Sequence, residues 1–114
     1  SLKKDISKAN VLILGVTFKA NCPDIRNSKV FDLINHLNNS VNSVDCVDPH
    51  ASYSEVLDIH NIKLKKIPDL SIASYDAIIY AVPHFEFYEI NIEEVPNQII
   101  YDFYGIGQNS HLSL

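Results

Sequence analysis

The sequence predicts an α/β fold, a mostly parallel sheet between two covering layers. Three observations carry that expectation. Short apolar runs occur at residues 10–14, 44–47, 77–82 and 98–101, each bounded by glycine, proline or an acid. Runs of that length without strict polar alternation read as strands buried on both faces. Segments with helical spacing separate them, and strands alternating with helices imply right-handed βαβ crossovers. Third, the polar residues capable of chemistry fall just after the strands, where ligands of such sheets bind.

Each element has its own signal. Val11-Leu12-Ile13-Leu14 is stopped by Gly15. Asn27 or Ser28 is placed to cap a helix carrying Val30, Phe31, Ile34 and Leu37 at helical spacing, and Asn38-Asn39-Ser40 ends it. The strand at 44–47 is halted by Asp48-Pro49, because the residue before proline resists the α region. A weaker helix is expected over 51–59, and the stretch 62–67 reads as a short strand followed by a loop. A short helix is expected at 70–73. The strongest strand, Ala-Ile-Ile-Tyr-Ala-Val at 77–82, ends at Pro83. A helical piece follows within 86–94, then the last strand at 98–101 and Asp102. Residues 105–114 show no periodicity and are expected to form a mobile tail. The arrangement is that of a Rossmann-like three-layer sandwich.

The 114 residues fit one domain with a sizeable core. The chain contains no methionine, even at position 1, which points to a fragment of a longer protein. No signal-peptide pattern opens it, and no apolar run approaches the ~20 residues that span a bilayer; a cytoplasmic location is expected. A net charge of −5 argues against general nucleic-acid or anionic-membrane binding. It leaves room for a small anionic ligand at a local group of cations and N–H donors. Cys22 and Cys46 are too far apart for a local metal or redox motif, and the five histidines lack metal-ligand spacing. No metal site is expected.

The loop after the first strand is long and polar, where a dinucleotide site would carry spaced glycines. Lys19 offers a flexible point charge and Arg26 a rigid fork, a pair suited to phosphate or carboxylate. Asn21 supplies a donor and an acceptor, Asp24 is placed to orient Arg26 or hold the loop, and Ser28 opens the helix. A solvated loop with one Asp–Arg pair is the plain alternative. His84 and Asp102 stand at strand ends. His84 reads as a structural residue that holds the loop, and capping or bracing is the expectation for Asp48 and Asp102.

These residues also resemble a family. Gly15-Val16-Thr17-Phe18-Lys19 followed by Asn21-Cys22-Pro23-Asp24-Ile25-Arg26-Asn27-Ser28-Lys29-Val30 looks like the C-terminal domain of the UDP-glucose/GDP-mannose dehydrogenases. The Asn-Cys-Pro-Asp version is most similar to the branch that oxidises UDP-N-acetylhexosamines for capsular, Vi and O antigens. Val47-Asp48-Pro49, Ala81-Val82-Pro83-His84-Phe85-Glu86-Phe87 and Ile100-Tyr101-Asp102 agree in order. The resemblance covers nearly the whole chain.

It implies that residues 1–114 are a C-terminal nucleotide-sugar-binding domain. The N-terminal and central domains of the longer, homo-oligomeric enzyme would bind most of the NAD and hold the catalytic cysteine. It implies oxidation of a UDP-sugar C6 hydroxyl to the carboxylate in two hydride transfers, with no catalytic residue in this chain. By motif match, Lys19 would contact the substrate, Phe18 would lie near the nucleotide, and Arg26 would reach the NAD pyrophosphate or brace the domain interface. One departure stands out: family members often carry a cation just after the closing aspartate, whereas Asp102 is followed by Phe103-Tyr104-Gly105. The alternative readings are a stand-alone nucleotide-binding module and an oligomerisation module without chemistry.

Overall fold

The computed structural model describes residues 5–90, 96–102 and 104. Four strands, β1 (Asn10–Leu14), β2 (Ser43–Val47), β3 (Ala77–Tyr80) and β4 (Ile99–Tyr101), form one parallel sheet in the order β2-β1-β3-β4. Leu12 stands opposite Asp45 on one side and Ile78 on the other. Parallel sheets need both faces covered, and β1 shows this directly. Val11 and Ile13 enter one core cluster with Phe31, Ile34 and Val56, while Leu12 and Leu14 enter a second with Val47, Ile78, Tyr80 and Phe87.

The first layer is helical. Helix α1 (Val30–Asn38) buries Phe31 and Ile34, and helix α2 (Tyr53–His60) buries Val56. His60 lies flat on Phe31, ring centroids 3.6 Å apart, and joins the two helices. After α2 the chain returns past the outer edge of β2, where Lys65 makes a single parallel bridge to Val47. This bridge is all that exists of the strand expected at 62–67. It is nevertheless informative, because it places the outward-going half of the sheet at β1-β2-Lys65 and the rest at β3-β4. The chain order therefore reverses between β1 and β3, and their carboxyl ends flank the crevice where such sheets take ligands.

The second layer differs from expectation. Residues 70–73 do not form one short helix; a 3-10 turn precedes them at Ile67–Asp69, another begins within them at Ile72–Ser74, and a third follows β3 at Phe85–Glu89. Their apolar residues Ile67, Leu70, Ile72, Phe87 and Ile90 cover the Leu12/Leu14 face. Pro68 in the first turn favours short pieces here. The helical piece expected over 86–94 is that third turn as far as Glu89; residues 91–95 lie outside the described residues, as does the tail expected to be mobile at 105–114.

Boundaries shifted for local reasons. Helix α1 begins at Val30 with Lys29 at its cap and no side-chain cap bond there. Asn27 is in the left-handed region, φ 63°, and turns the chain instead of capping it; Ser28 accepts the Val30 N–H through its hydroxyl at 3.3 Å. Helix α2 starts at Tyr53, not Ala51, because Ser52 is extended and its hydroxyl accepts the Glu55 N–H. Asn61, φ 57°, closes it in the left-handed conformation. The third strand stops at Tyr80 instead of Val82; Ala81 and Val82 still direct their N–H groups to the Leu14 carbonyl.

Candidate functional site

Three loops meet at the carboxyl end of the sheet: residues 15–29 after β1, 48–52 after β2 and 81–85 after β3. Gly15 opens the first with φ 101°, a conformation that L side chains rarely adopt. A Cβ there would stand 2.5 Å from the Val82 Cβ and 2.9 Å from its backbone nitrogen. The glycine therefore permits both the turn and the contact between the ends of β1 and β3.

Asp48 is the hub. It is fully buried, and its carboxylate accepts five hydrogen bonds. Oδ2 takes the N–H groups of Val16 (2.7 Å) and Thr17 (3.1 Å) and Nε2 of His84 (2.8 Å). Oδ1 takes the N–H groups of His50 (2.8 Å) and Ala51 (3.1 Å). Burial pushes this carboxyl up, but the bonds from His84 and from the Val16 and His50 amides outweigh it and hold the group below its usual value. In a dinucleotide-binding sheet, the acid after the second strand holds a ribose hydroxyl. Here the acid is spent on its own loops, and the spaced glycines are absent.

His84 is equally buried and connects the hub to the first loop. Its Nδ1 accepts the Asn21 N–H at 2.8 Å, so the ring hydrogen sits on Nε2, which faces Asp48 and, at 3.0 Å, the Thr17 hydroxyl. That hydroxyl donates onward to the Lys19 carbonyl at 3.0 Å. Asn21, at φ 56°, uses its side-chain oxygen to accept the Phe85 N–H at 2.9 Å. Phe18 N–H closes the loop onto the Asp24 carbonyl at 2.7 Å, and Ile25 anchors its far side in the core. Beside this network, His50 Nε2 meets Glu86 Oε1 at 2.8 Å, and its ring tilts against His84 with centroids 4.5 Å apart.

The loop thus holds its backbone down and turns selected side chains out. Phe18 is 54% exposed, and Lys19 is exposed with no ion-pair partner among the described residues. Arg26 is also exposed. Asp24 engages it through Nε (3.0 Å) and Nη2 (3.1 Å), and these bonds hold the Asp24 carboxyl below its usual value. Asp102 is buried on the other side, after β4. It shares the face of Tyr80, whose phenol is pushed up to about 12 by burial and by the Asp102 charge. The structure therefore gathers Phe18, Lys19, Asn21, Asp24 and His84 around one loop, sets Ser28 at the start of α1, and leaves Asp102 on a separate strand end.

Two members of the network were not among the residues expected to form the site. Asp48 had a visible signal, Asp-Pro at a strand's carboxyl end, which pointed to bracing but not to its central place. Thr17 had none, since a threonine after a strand is unremarkable until its neighbours are known. Cys46 is buried and its thiol is pushed up to about 12, mainly by burial, which makes it inert; Cys22 is half-buried. Among the described residues, no group of three or more His, Cys, Asp or Glu is placed to hold a metal ion, and no helix is long and apolar enough to cross a membrane.

Comparison with known proteins gives consistent results. The family described as UDP-glucose/GDP-mannose dehydrogenase family, UDP binding domain, matches residues 12–109. A UDP-N-acetyl-D-glucosamine 6-dehydrogenase of Salmonella typhi is 35% identical over 108 residues, covering 95% of this chain and 23% of that protein. One from Pseudomonas aeruginosa is 38% identical over 90 residues, 79% of this chain and 21% of that protein. Among solved structures, the native UDP-N-acetyl-mannosamine dehydrogenase Cap5O from Staphylococcus aureus has a TM-score of 0.69 at 21% identity, over 96% of this chain and 26% of that one. That likeness shows the fold. The chain spans about a fifth to a quarter of the length of the curated relatives it matches.

Proposed function

We propose a function from one premise: the chain belongs to the UDP-glucose/GDP-mannose dehydrogenase family and matches its UDP-binding domain. On that premise, it supplies the nucleotide half-site of a longer, NAD-dependent UDP-sugar 6-dehydrogenase. That enzyme oxidises a UDP-hexose or UDP-N-acetylhexosamine to the uronate for surface polysaccharide synthesis in the cytoplasm. NAD and the reacting groups belong to the other domains, which also carry the homo-oligomer interface. This chain binds and orients, and by itself catalyses nothing.

One observation supports the reading above the others. A loop at the reversal point of the sheet is pinned through the Lys19 carbonyl and the Phe18 and Asn21 N–H groups yet presents Lys19 and Phe18 to solvent. Fixed backbone beneath an exposed cation and an aromatic face suits a diphosphate joined to a flat base. Lys19 takes the diphosphate charge and Phe18 lies against the nucleotide. Arg26, held in a fixed orientation by Asp24, faces the cofactor pyrophosphate or the neighbouring domain. Asn21, Asp24, Ser28 and His84 support the loop, and Asp102 shapes the far strand end.

UDP titrated into the chain, followed by calorimetry and by amide shifts, tests this. Shifts should centre on residues 16–28. Lys19→Ala should weaken binding by roughly tenfold or more, the scale of one charge-assisted contact. No binding at millimolar UDP, or unchanged affinity in Lys19→Ala, overturns the reading.

A further inference from the structure

We infer that His84 is a positioning residue for the Lys19 loop, acting through its Nδ1 lone pair on the Asn21 N–H, while its bond to Asp48 serves the fold. The inference rests on the UDP-binding reading for its functional consequence. The geometry separates the two tasks by ring nitrogen. Nε2 points to the hub: Asp48 Oδ2 at 2.8 Å and Thr17 Oγ1 at 3.0 Å. Nδ1 points to the loop, where it accepts the Asn21 N–H at 2.8 Å.

The consequences of losing each bond differ. Without Nε2, Asp48 keeps four backbone donors: Val16, Thr17, His50 and Ala51. Without Nδ1, the Asn21 N–H loses its acceptor in a residue already held at φ 56°. Asn21 also holds the Phe85 N–H through its side chain, so residues 84 and 85 clasp the loop by two bonds to one residue. Lys19 lies two positions away, and its carbonyl is anchored by Thr17. A lysine side chain has a long flexible stem, so an ordered root removes part of the entropy lost when it grips a ligand.

Two isosteric replacements divide the bonds. His84→Asn places a carboxamide oxygen near the Nδ1 position and keeps an acceptor for Asn21 while losing Asp48. His84→Gln places an amide nitrogen near the Nε2 position and keeps the donor to Asp48 while losing Asn21. UDP titration should find His84→Asn within about twofold of the unsubstituted chain and His84→Gln weaker by roughly fivefold, the worth of one hydrogen bond. Backbone amide exchange at Asn21 should stay slow in His84→Asn and become fast in His84→Gln. Affinity that instead follows the urea midpoint in both variants overturns the inference and makes His84 a fold residue only.

If a variant does not fold, the unsubstituted chain still decides. Scalar coupling between the Asn21 amide nitrogen and His84 Nδ1 across the hydrogen bond should be present and should persist with UDP bound; its absence overturns the inference. Failure of the unsubstituted chain to bind UDP sinks the UDP-binding reading, while the coupling and exchange data still decide whether Nδ1 holds the loop.

Discussion

Replacing Asp48 by asparagine changes one oxygen to an amide nitrogen and nothing in shape, so its effect isolates the carboxylate. The native carboxylate faces donors on both oxygens: three at Oδ2 and two at Oδ1. An asparagine meets only one of these groups with its oxygen. The better orientation keeps the three-donor side and turns the NH₂ toward the His50 and Ala51 N–H groups. The Ala51 N–H is buried and the His50 N–H partly so. A buried donor left without an acceptor costs about 1–3 kcal/mol, which puts the substitution at ~2–4 kcal/mol. That is a large share of the 5–15 kcal/mol typical of a whole domain.

The pH dependence carries a sign. Asp48 titrates below its ordinary value of 3.8 in the folded chain, so its contribution is present above that pH and is lost as pH falls through the lowered value. The asparagine variant lacks that part of the acid limb. Its deficit relative to the unsubstituted chain should therefore be large at pH 7 and smaller at the acid end. Urea unfolding followed by circular dichroism at several pH values measures both, with an unchanged m-value showing that the folded and unfolded states stay comparable. A variant within about 0.5 kcal/mol of the unsubstituted chain at pH 7, the range of ordinary surface changes, would refute the hub argument.

Two other substitutions probe the same end of the sheet. Gly15→Ala should destabilise the chain by about 2–4 kcal/mol, because it combines a forbidden φ with a Cβ pressed against Val82; a melting temperature unchanged from the parent would contradict the close approach of β1 and β3. Tyr80→Phe should leave stability unchanged or raise it, since the buried Tyr80 hydroxyl has no hydrogen-bond partner among the described residues. A loss of ~1 kcal/mol, the worth of a hydrogen bond, would reveal a partner.

Local pattern alone determined a good deal about this protein. Apolar runs without alternation marked the four strands found among the described residues. For β1 the reason is burial on both faces, which leaves no polar face to display, and Val11 to Leu14 show that state directly, whereas β4 leaves Ile99 and Tyr101 exposed. The signals at strand ends pointed to the edge where the Asp48–His84 network lies. Lys19, Asn21 and Asp24 were marked out as a polar loop after a strand, and His84 as a histidine at a strand's end; the fold joins Asn21 to His84 and closes the Phe18 N–H onto the Asp24 carbonyl. Boundaries were less legible where a backbone conformation competed with a side-chain signal. Asn27 looked like a cap and became a left-handed turn, and Ser52 capped α2 from an extended backbone that shortened the helix expected from Ala51. The covering of the second face was legible only in part: helical pieces were expected at 70–73 and within 86–94, but 3-10 turns of three to five residues are too short to show a period.

Tertiary structure alone decided how the strand-end network is assembled. Asp48, Thr17 and His84 are separated by dozens of residues, and only the parallel order β2-β1-β3 brings their strand ends within hydrogen-bond reach. The same order fixes the division of labour between the two nitrogens of His84, because one loop lies on each side of the ring. Residue types announced a polar cluster at the strand ends; which of them turn outward, and which are consumed in holding the others, follows from the burial that the sheet imposes.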